Sequence, residues 1–178
     1  ANLNELERMT LLRSFETLHQ SADIILFDTG AGISRNTPSF LSAADDIIVV
    51  TMPEPTAIVD AYAVIKMLAA EPDHGDLFVL MNLTSSRQEA ERFANGIAVT
   101  ANKLMNAYVE KLGYVLSDPR VPAAVRQRRP FLHAYPSSPA SVCIRSIAKK
   151  LAYARGGNTP DERPGFVRRL FSAWKGPR

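Results

Sequence analysis

Little in this 178-residue chain could crosslink it or hold a transition metal. It has one cysteine, Cys143, so no disulfide can form within it, and an intracellular setting is the expectation. The three histidines, His19, His74 and His133, are scattered and have no cysteine at ligand spacing, so no zinc site can be read. No apolar run approaches the roughly 18 residues that a membrane span needs, and nothing resembles a signal peptide. No phosphate-cradling GxxxxGK(S/T) loop occurs anywhere. The first residue is Ala1 rather than Met, and the expectation is a chain that starts partway through a longer protein.

Net charge is also missing from most of the chain. The formal net charge is +3, but the segment from Arg155 onward carries +4, with six basic residues against Asp161 and Glu162. Residues 1–154 therefore sum to −1, which argues against a nucleic-acid-binding body and makes the tail the first suspect for any anionic partner.

What is present alternates between strand and helix. Residues 3–20 predict a helix with Leu11, Phe15 and Leu18 on one face. Three short apolar runs, "DIILFD" (Asp23–Asp28), "DIIVV" (Asp46–Val50) and "LFVLMN" (Leu77–Asn82), read as buried strands. "LGYVLSDPR" predicts a fourth, ending at Ser117–Asp118–Pro119. Helices are expected from Pro55, with Ile58, Tyr62, Ile65 and Leu68 at helical spacing, and from about Arg87 to Val109. A short basic helix should carry Arg126, Arg128 and Arg129, and a last helix of the body should be capped by Ser138 ahead of Pro139. Strands that are apolar on both faces, alternating with helices, predict an α/β fold: a parallel sheet with helices on both faces. The expected organisation is a body over residues 1–154, a linker over 155–165 and a tail over 166–178.

In such sheets ligands sit beyond the carboxyl ends of the strands. "DTGAG" follows the first run, so Asp28 could hold a magnesium-bound water, and Gly30 and Gly32 could let backbone N–H groups approach a phosphate. A strand that merely stops at a turn reads equally well. Gly30 and Gly32 are not a dinucleotide fingerprint, because Arg35 stands where the third glycine belongs. Glu54 and Asp60 lie near a helix start, where acids are favourable through the dipole alone. Asn82 could read a base edge or form a turn, and Asp118–Pro119 is common loop chemistry. The three arginines could contact phosphates or simply be solvated.

Taken in order, "DIILFDTGAGIS", "VVTMPEPTAIVDAYAVIKML", "LMNLTSS", "LGYVLSDPRVPAAVRQRRPF" and "YPSSPASVCIRSIAKKLA" resemble successive blocks of the MinD/ParA-type deviant-Walker P-loop ATPases. They are most similar to the flagellar-number and placement branch (FlhG/FleN/YlxH-like). The resemblance covers about Leu3 to Ala154. It implies a P-loop NTPase fold, ATP and Mg2+ as cofactors, and a homodimer formed on ATP. Asp28 matches the Walker B aspartate, which orients Mg2+ through water, and Gly30 and Gly32 match the switch loop that senses the γ-phosphate. Asn82 matches the adenine-reading asparagine, Asp118 and Pro119 match the loop that packs on adenine, and Glu54 and Asp60 match positions near the dimer interface. The family's lysine-bearing P-loop belongs well before "DTGAG" and is absent here. The chain is therefore expected to be an N-terminally incomplete ATPase, inactive alone, or else a non-catalytic adaptor that keeps the fold.

The tail segment "FVRRLFSAWK" places Phe166, Val167, Leu170, Phe171 and Trp174 on one side of a helical wheel, with Arg168, Arg169, Ser172 and Lys175 opposite. An apolar stripe with a basic far face is what an interfacial membrane helix needs, although a helix docked on the body would read alike. The resemblance favours the membrane, since MinD-like proteins end in such a helix. It implies a cytoplasmic protein, peripheral on the inner face of the cytoplasmic membrane, with a flagellar assembly partner and an ATPase-activating protein, and no nucleic acid.

Overall fold

The computed structural model describes residues 5–29, 40–41, 43–71, 74–155 and 165–175. Gly30, Gly32 and most of the expected linker lie outside the described residues. The chain divides into two compact units. One comprises Ala1–Asp45, Glu71–Gly75 and Asp161–Arg178, and the other Asp46–Ala70 and Asp76–Pro160.

The second unit is built on a parallel sheet in the order β1-β2-β3, with β1 at Asp46–Thr51, β2 at Asp76–Thr84 and β3 at Val109–Leu116. Parallel neighbours need long crossovers, and helices supply them: α2 (Pro55–Ala69) between β1 and β2, and α3 (Arg87–Met105) between β2 and β3. Glu54 is the extended N-cap of α2, and Pro55 enters its first turn, where a missing N–H costs nothing. Ser86 caps α3 by accepting from the Glu89 N–H at 3.1 Å, while the Glu89 carboxylate accepts from the Ser85 N–H and hydroxyl at 2.7 and 2.8 Å. α3 stops at Met105 because Asn106 turns left-handed at φ 51°. The helix expected to reach Val109 is thus four residues shorter, and Val109 instead opens β3.

Alternate residues of the sheet serve opposite faces. Ile48, Phe78, Leu80, Leu112 and Val115 pack with Ala140, Ile144 and Ile147 of α6 (Pro139–Arg155). The intervening Ile47, Val49, Leu77, Val79 and Met81 are buried on the face where α2 and α3 pack, helices that bury Ile65, Leu68 and Ile97. Each such side chain contributes roughly 1.5–3 kcal/mol. A Cβ on Gly113 of β3 would sit 3.1 Å from Ile147, so glycine lets α6 lie close. α4 spans Arg120–Arg126 and α5 spans Phe131–Ala134. Arg128 and Arg129 fall beyond α4, with Arg128 left-handed at φ 53°, so of the expected basic helix only Arg126 is helical.

The first unit holds α1 (Glu5–Ser21) and α7 (Phe166–Lys175). Its core is aromatic. Phe15 meets Phe27, Phe40 and Phe166 edge-on with ring centroids 5.2, 6.2 and 5.5 Å apart, and Leu170 and Ala43 are fully buried beside them. Leu11 joins this cluster, whereas Leu18, expected on the same face, is exposed.

Two further expectations fail in this unit. Asp23–Asp28 is not a strand: it forms no β ladder, and Ile24 and Leu26 are largely exposed while Phe27 turns into the cluster. A buried strand needs neighbours to satisfy its backbone groups, and the described residues supply none. Arg169 is not on a solvated polar face either. It is buried and ion-paired to Asp45, and its Nε and Nη1 have no hydrogen-bond partner. The apolar face formed by Phe166, Val167 and Leu170 is occupied by the unit's own core.

Candidate functional site

The carboxyl ends of β2 and β3 hold Asn82, Ser117, Asp118 and Pro119. Register brings them together: Thr84 pairs with Leu116, and the Ser117 N–H donates to the Thr84 carbonyl at 2.9 Å. Thr84 is fully buried, and its hydroxyl donates to the Val115 carbonyl at 3.4 Å. Just before it, the half-buried Asn82 accepts the Leu83 N–H on Oδ1 at 2.9 Å.

Asp118 is buried and committed to backbone. Its Oδ1 accepts the Arg120 N–H at 2.9 Å, and its Oδ2 accepts the Ala140 N–H at 3.2 Å. One carboxylate therefore caps the first turns of both α4 and α6. These donors hold the carboxyl below the usual carboxylate range: the Arg120 N–H first, then the Ala140 N–H, the Ser138 hydroxyl and the Arg120 charge, against an opposing desolvation. Ser138 in turn accepts the Ser141 N–H at 3.3 Å, as the expected cap of α6. Asp118 thus builds the loop that presents Pro119, rather than offering a free acceptor to a ligand.

A shallow polar hollow of about 280 Å3, lined by Ser86, Gln88, Glu89 and Arg92, lies at the start of α3, four residues after Asn82. Glu54 and Asp60 are exposed at the start and on the flank of α2. Asp28 is exposed and belongs to the first unit, after the extended Ile24–Phe27 segment. The structure therefore gathers Asn82, Asp118 and Pro119 at one sheet edge. Leu83 stands beside them, a residue for which the sequence carries no signal.

Among the described residues no three His, Cys, Asp or Glu side chains gather as a metal site. Magnesium bound with nucleotide needs only one or two carboxylates, the rest of its shell being waters and phosphate oxygens. Asp28 presents one exposed carboxylate in the first unit, and Asn82 a half-buried carboxamide in the second. No helix among the described residues is long and apolar enough to cross a membrane.

No protein-family model matches the chain. Individual proteins do. The antiactivator FleN of Pseudomonas aeruginosa is 30% identical over 172 residues, which are 95% of this chain and 61% of FleN. The flagellum site-determining protein YlxH of Helicobacter pylori is 33% identical over 134 residues, 75% of this chain and 45% of YlxH. The MinD cell division protein of Aquifex aeolicus superposes with a TM-score of 0.64 at 25% identity, covering 88% of this chain and 64% of MinD. The chain thus spans only part of the length of each relative.

Parallel strands, helices on both faces and polar residues at the strands' carboxyl edge, in a chain that superposes on MinD, define an α/β fold of the P-loop NTPase kind. The similarities to FleN, YlxH and MinD support a MinD/ParA-like chain of the branch of FleN and YlxH.

Proposed function

We propose that the chain is the C-terminal part of a MinD-like ATPase that regulates flagellar number or placement, dimerising on ATP and cycling on and off the membrane. The observation that carries this reading is the similarity to FleN along 95% of the chain, with Asn82, Asp118 and Pro119 at the carboxyl edge of the sheet. In the proposed cycle Asn82 reads adenine, and the Pro119 loop, held by Asp118, packs on its face. Mg2+ supplies charge neutralisation at the phosphates when bound, and Asp28 holds one of its waters. Glu54 and Asp60 face the second protomer. A flagellar assembly component and an activating protein are the expected partners.

The membrane step belongs to α7. Its apolar side, with Phe171 and Trp174 added, suits the headgroup boundary, and Arg168 and Lys175 suit anionic lipid at on the order of 1 kcal/mol each. Because Phe166, Val167 and Leu170 pack within the first unit, membrane attachment requires that α7 leave that core. Paired copies would multiply the weak affinity of one short helix.

A chimera tests the reading. This chain would replace the matching segment of FleN in Pseudomonas aeruginosa lacking its own FleN. Restoration of the wild-type flagellar number supports the proposal; a folded, ATP-binding chimera that leaves the number unrestored refutes it. The adaptor alternative is separated by Asp28→Ala in the same chimera: an adaptor tolerates it, and an ATPase does not.

A further inference from the structure

β2 ends in a conformation that its sequence does not favour. Leu83 has φ 54°, the left-handed region that side-chain-bearing residues rarely enter and that glycine or asparagine adopts readily. Neighbouring contacts fix it there. Asn82 Oδ1 accepts its N–H, and Thr84 is anchored on both sides by Ser117 and Val115. The β2–β3 register shifts between Met81 and Thr84, so the alternation that buries Val79 and Met81 is broken at this point. The result is a leucine side chain 51% exposed at the carboxyl edge of the sheet, beside the Asn82 carboxamide. Strain of this kind persists where surroundings over-determine it, and it clusters at ligand sites. A merely structural turn would be better served by glycine.

We infer that Leu83 is the apolar platform for one face of the nucleobase, held in its strained conformation so that the ring lies on it with the Asn82 carboxamide at the ring's edge. This rests on the nucleotide reading above and adds to it a residue that sets base preference. A backbone N–H can bond only the oxygen of the carboxamide, so the Leu83 N–H fixes which way Asn82 points. The Asn82 amide then faces outward as a donor, and Oδ1 keeps one lone pair as an acceptor. That pair matches adenine, which offers an N7 acceptor and an N6 donor, and mismatches guanine, which offers two acceptors.

Adenosine, which needs no phosphate loop, is the probe. The 178-residue chain and its Leu83→Gly, Leu83→Asn and Asn82→Ala variants would be titrated with adenosine and with guanosine by amide chemical shifts, and melted in parallel. Leu83→Gly and Leu83→Asn should raise the melting temperature, because either residue relieves the strain. Both should weaken adenosine by about tenfold, the scale of losing the burial of one apolar side chain. A purely structural role would not move stability and affinity in opposite directions. Unchanged adenosine affinity in Leu83→Gly, with Asn82→Ala weakened, overturns the platform and leaves the nucleotide reading standing. A wild-type chain that ignores adenosine, or prefers guanosine, refutes both.

Discussion

Replacing Arg169 by methionine should stabilise the first unit, although it deletes an ion pair. The Arg169 side chain is 8% exposed and Asp45 53% exposed, so one charge of the pair has lost its water and the other has not. Asp45 serves Nη2 alone, and Nε and Nη1 are buried without partners. Each unsatisfied buried polar group costs about 1–3 kcal/mol. The half-exposed pair returns about 1 kcal/mol at best. An unbranched apolar side chain of similar length removes the penalty and stays buried, for a net gain of about 1–3 kcal/mol, within the range seen when buried ion pairs are replaced. Asp45→Asn should act oppositely, stripping the guanidinium of its one charged partner. Adding Asp45→Asn to Arg169→Met should change little, within about 0.5 kcal/mol, since a half-exposed carboxylate does not need the arginine. Hydrogen exchange in the α7 amides reads this locally, and protection in Arg169→Met should rise about 5- to 150-fold. A fall in protection, or a double variant as unstable as Asp45→Asn alone, refutes the reasoning.

Asp118 has a folded pKa below its unfolded one, so its stabilisation is present above the ordinary carboxylate range near 4 and lost as pH falls through the folded value. Asp118→Asn should therefore melt earlier than wild type at pH 7, with the gap closing below about pH 4 in a thermal series; a gap independent of pH contradicts the double cap. A Cβ on Gly75 would lie 2.4 Å from the carbonyl oxygens of Ala44 and Asp45, backbone atoms that cannot yield as a side chain would. Gly75→Ala should cost about 1–3 kcal/mol, the range of backbone strain, and a denaturant midpoint equal to wild type would count against that packing. The 178-residue chain should release no phosphate from ATP above a buffer control, and release abolished by Asp28→Ala would overturn this. Phe171→Glu with Trp174→Glu should remove co-sedimentation with anionic liposomes, and a double variant that pellets like wild type contradicts a membrane role for α7.

The parts of the fold legible in the sequence are those whose signal is local. β1 and β2 are short apolar runs bounded by turn residues; α2, α3 and α6 carry helical spacing with Pro55 and Ser138 at their starts; the order of these elements dictates a parallel sheet. Where the reading failed, the deciding interaction was distant in the chain. "IILF" has strand composition, but composition cannot supply a neighbouring strand, and Ile24 and Leu26 remain exposed where no ladder forms. Arg169 looks solvated on a helical wheel, and only an aspartate 124 positions away explains its burial. Asp118 was legible as a loop residue, but not as the carboxylate that ties Arg120 to Ala140.

Two of the features that the sequence concealed share a physical form: each is a local cost held in place by its surroundings. Leu83 is strained between Asn82 and a fully buried Thr84; Arg169 is buried on a single partner, Asp45, with Nε and Nη1 unsatisfied. If α7 leaves its core for the membrane as proposed, docking that is imperfect would serve that departure. A fully apolar α7 face would bury more apolar surface in that core and would release more slowly, because all of its docking energy would oppose departure. An arginine in that face lowers the docked stability by the same 1–3 kcal/mol that methionine should restore. On a lipid surface the same guanidinium regains water and meets anionic headgroups. In the proposed cycle one residue would thus disfavour the docked state and favour the attached one, and such a difference between two states is what a reversible cycle requires.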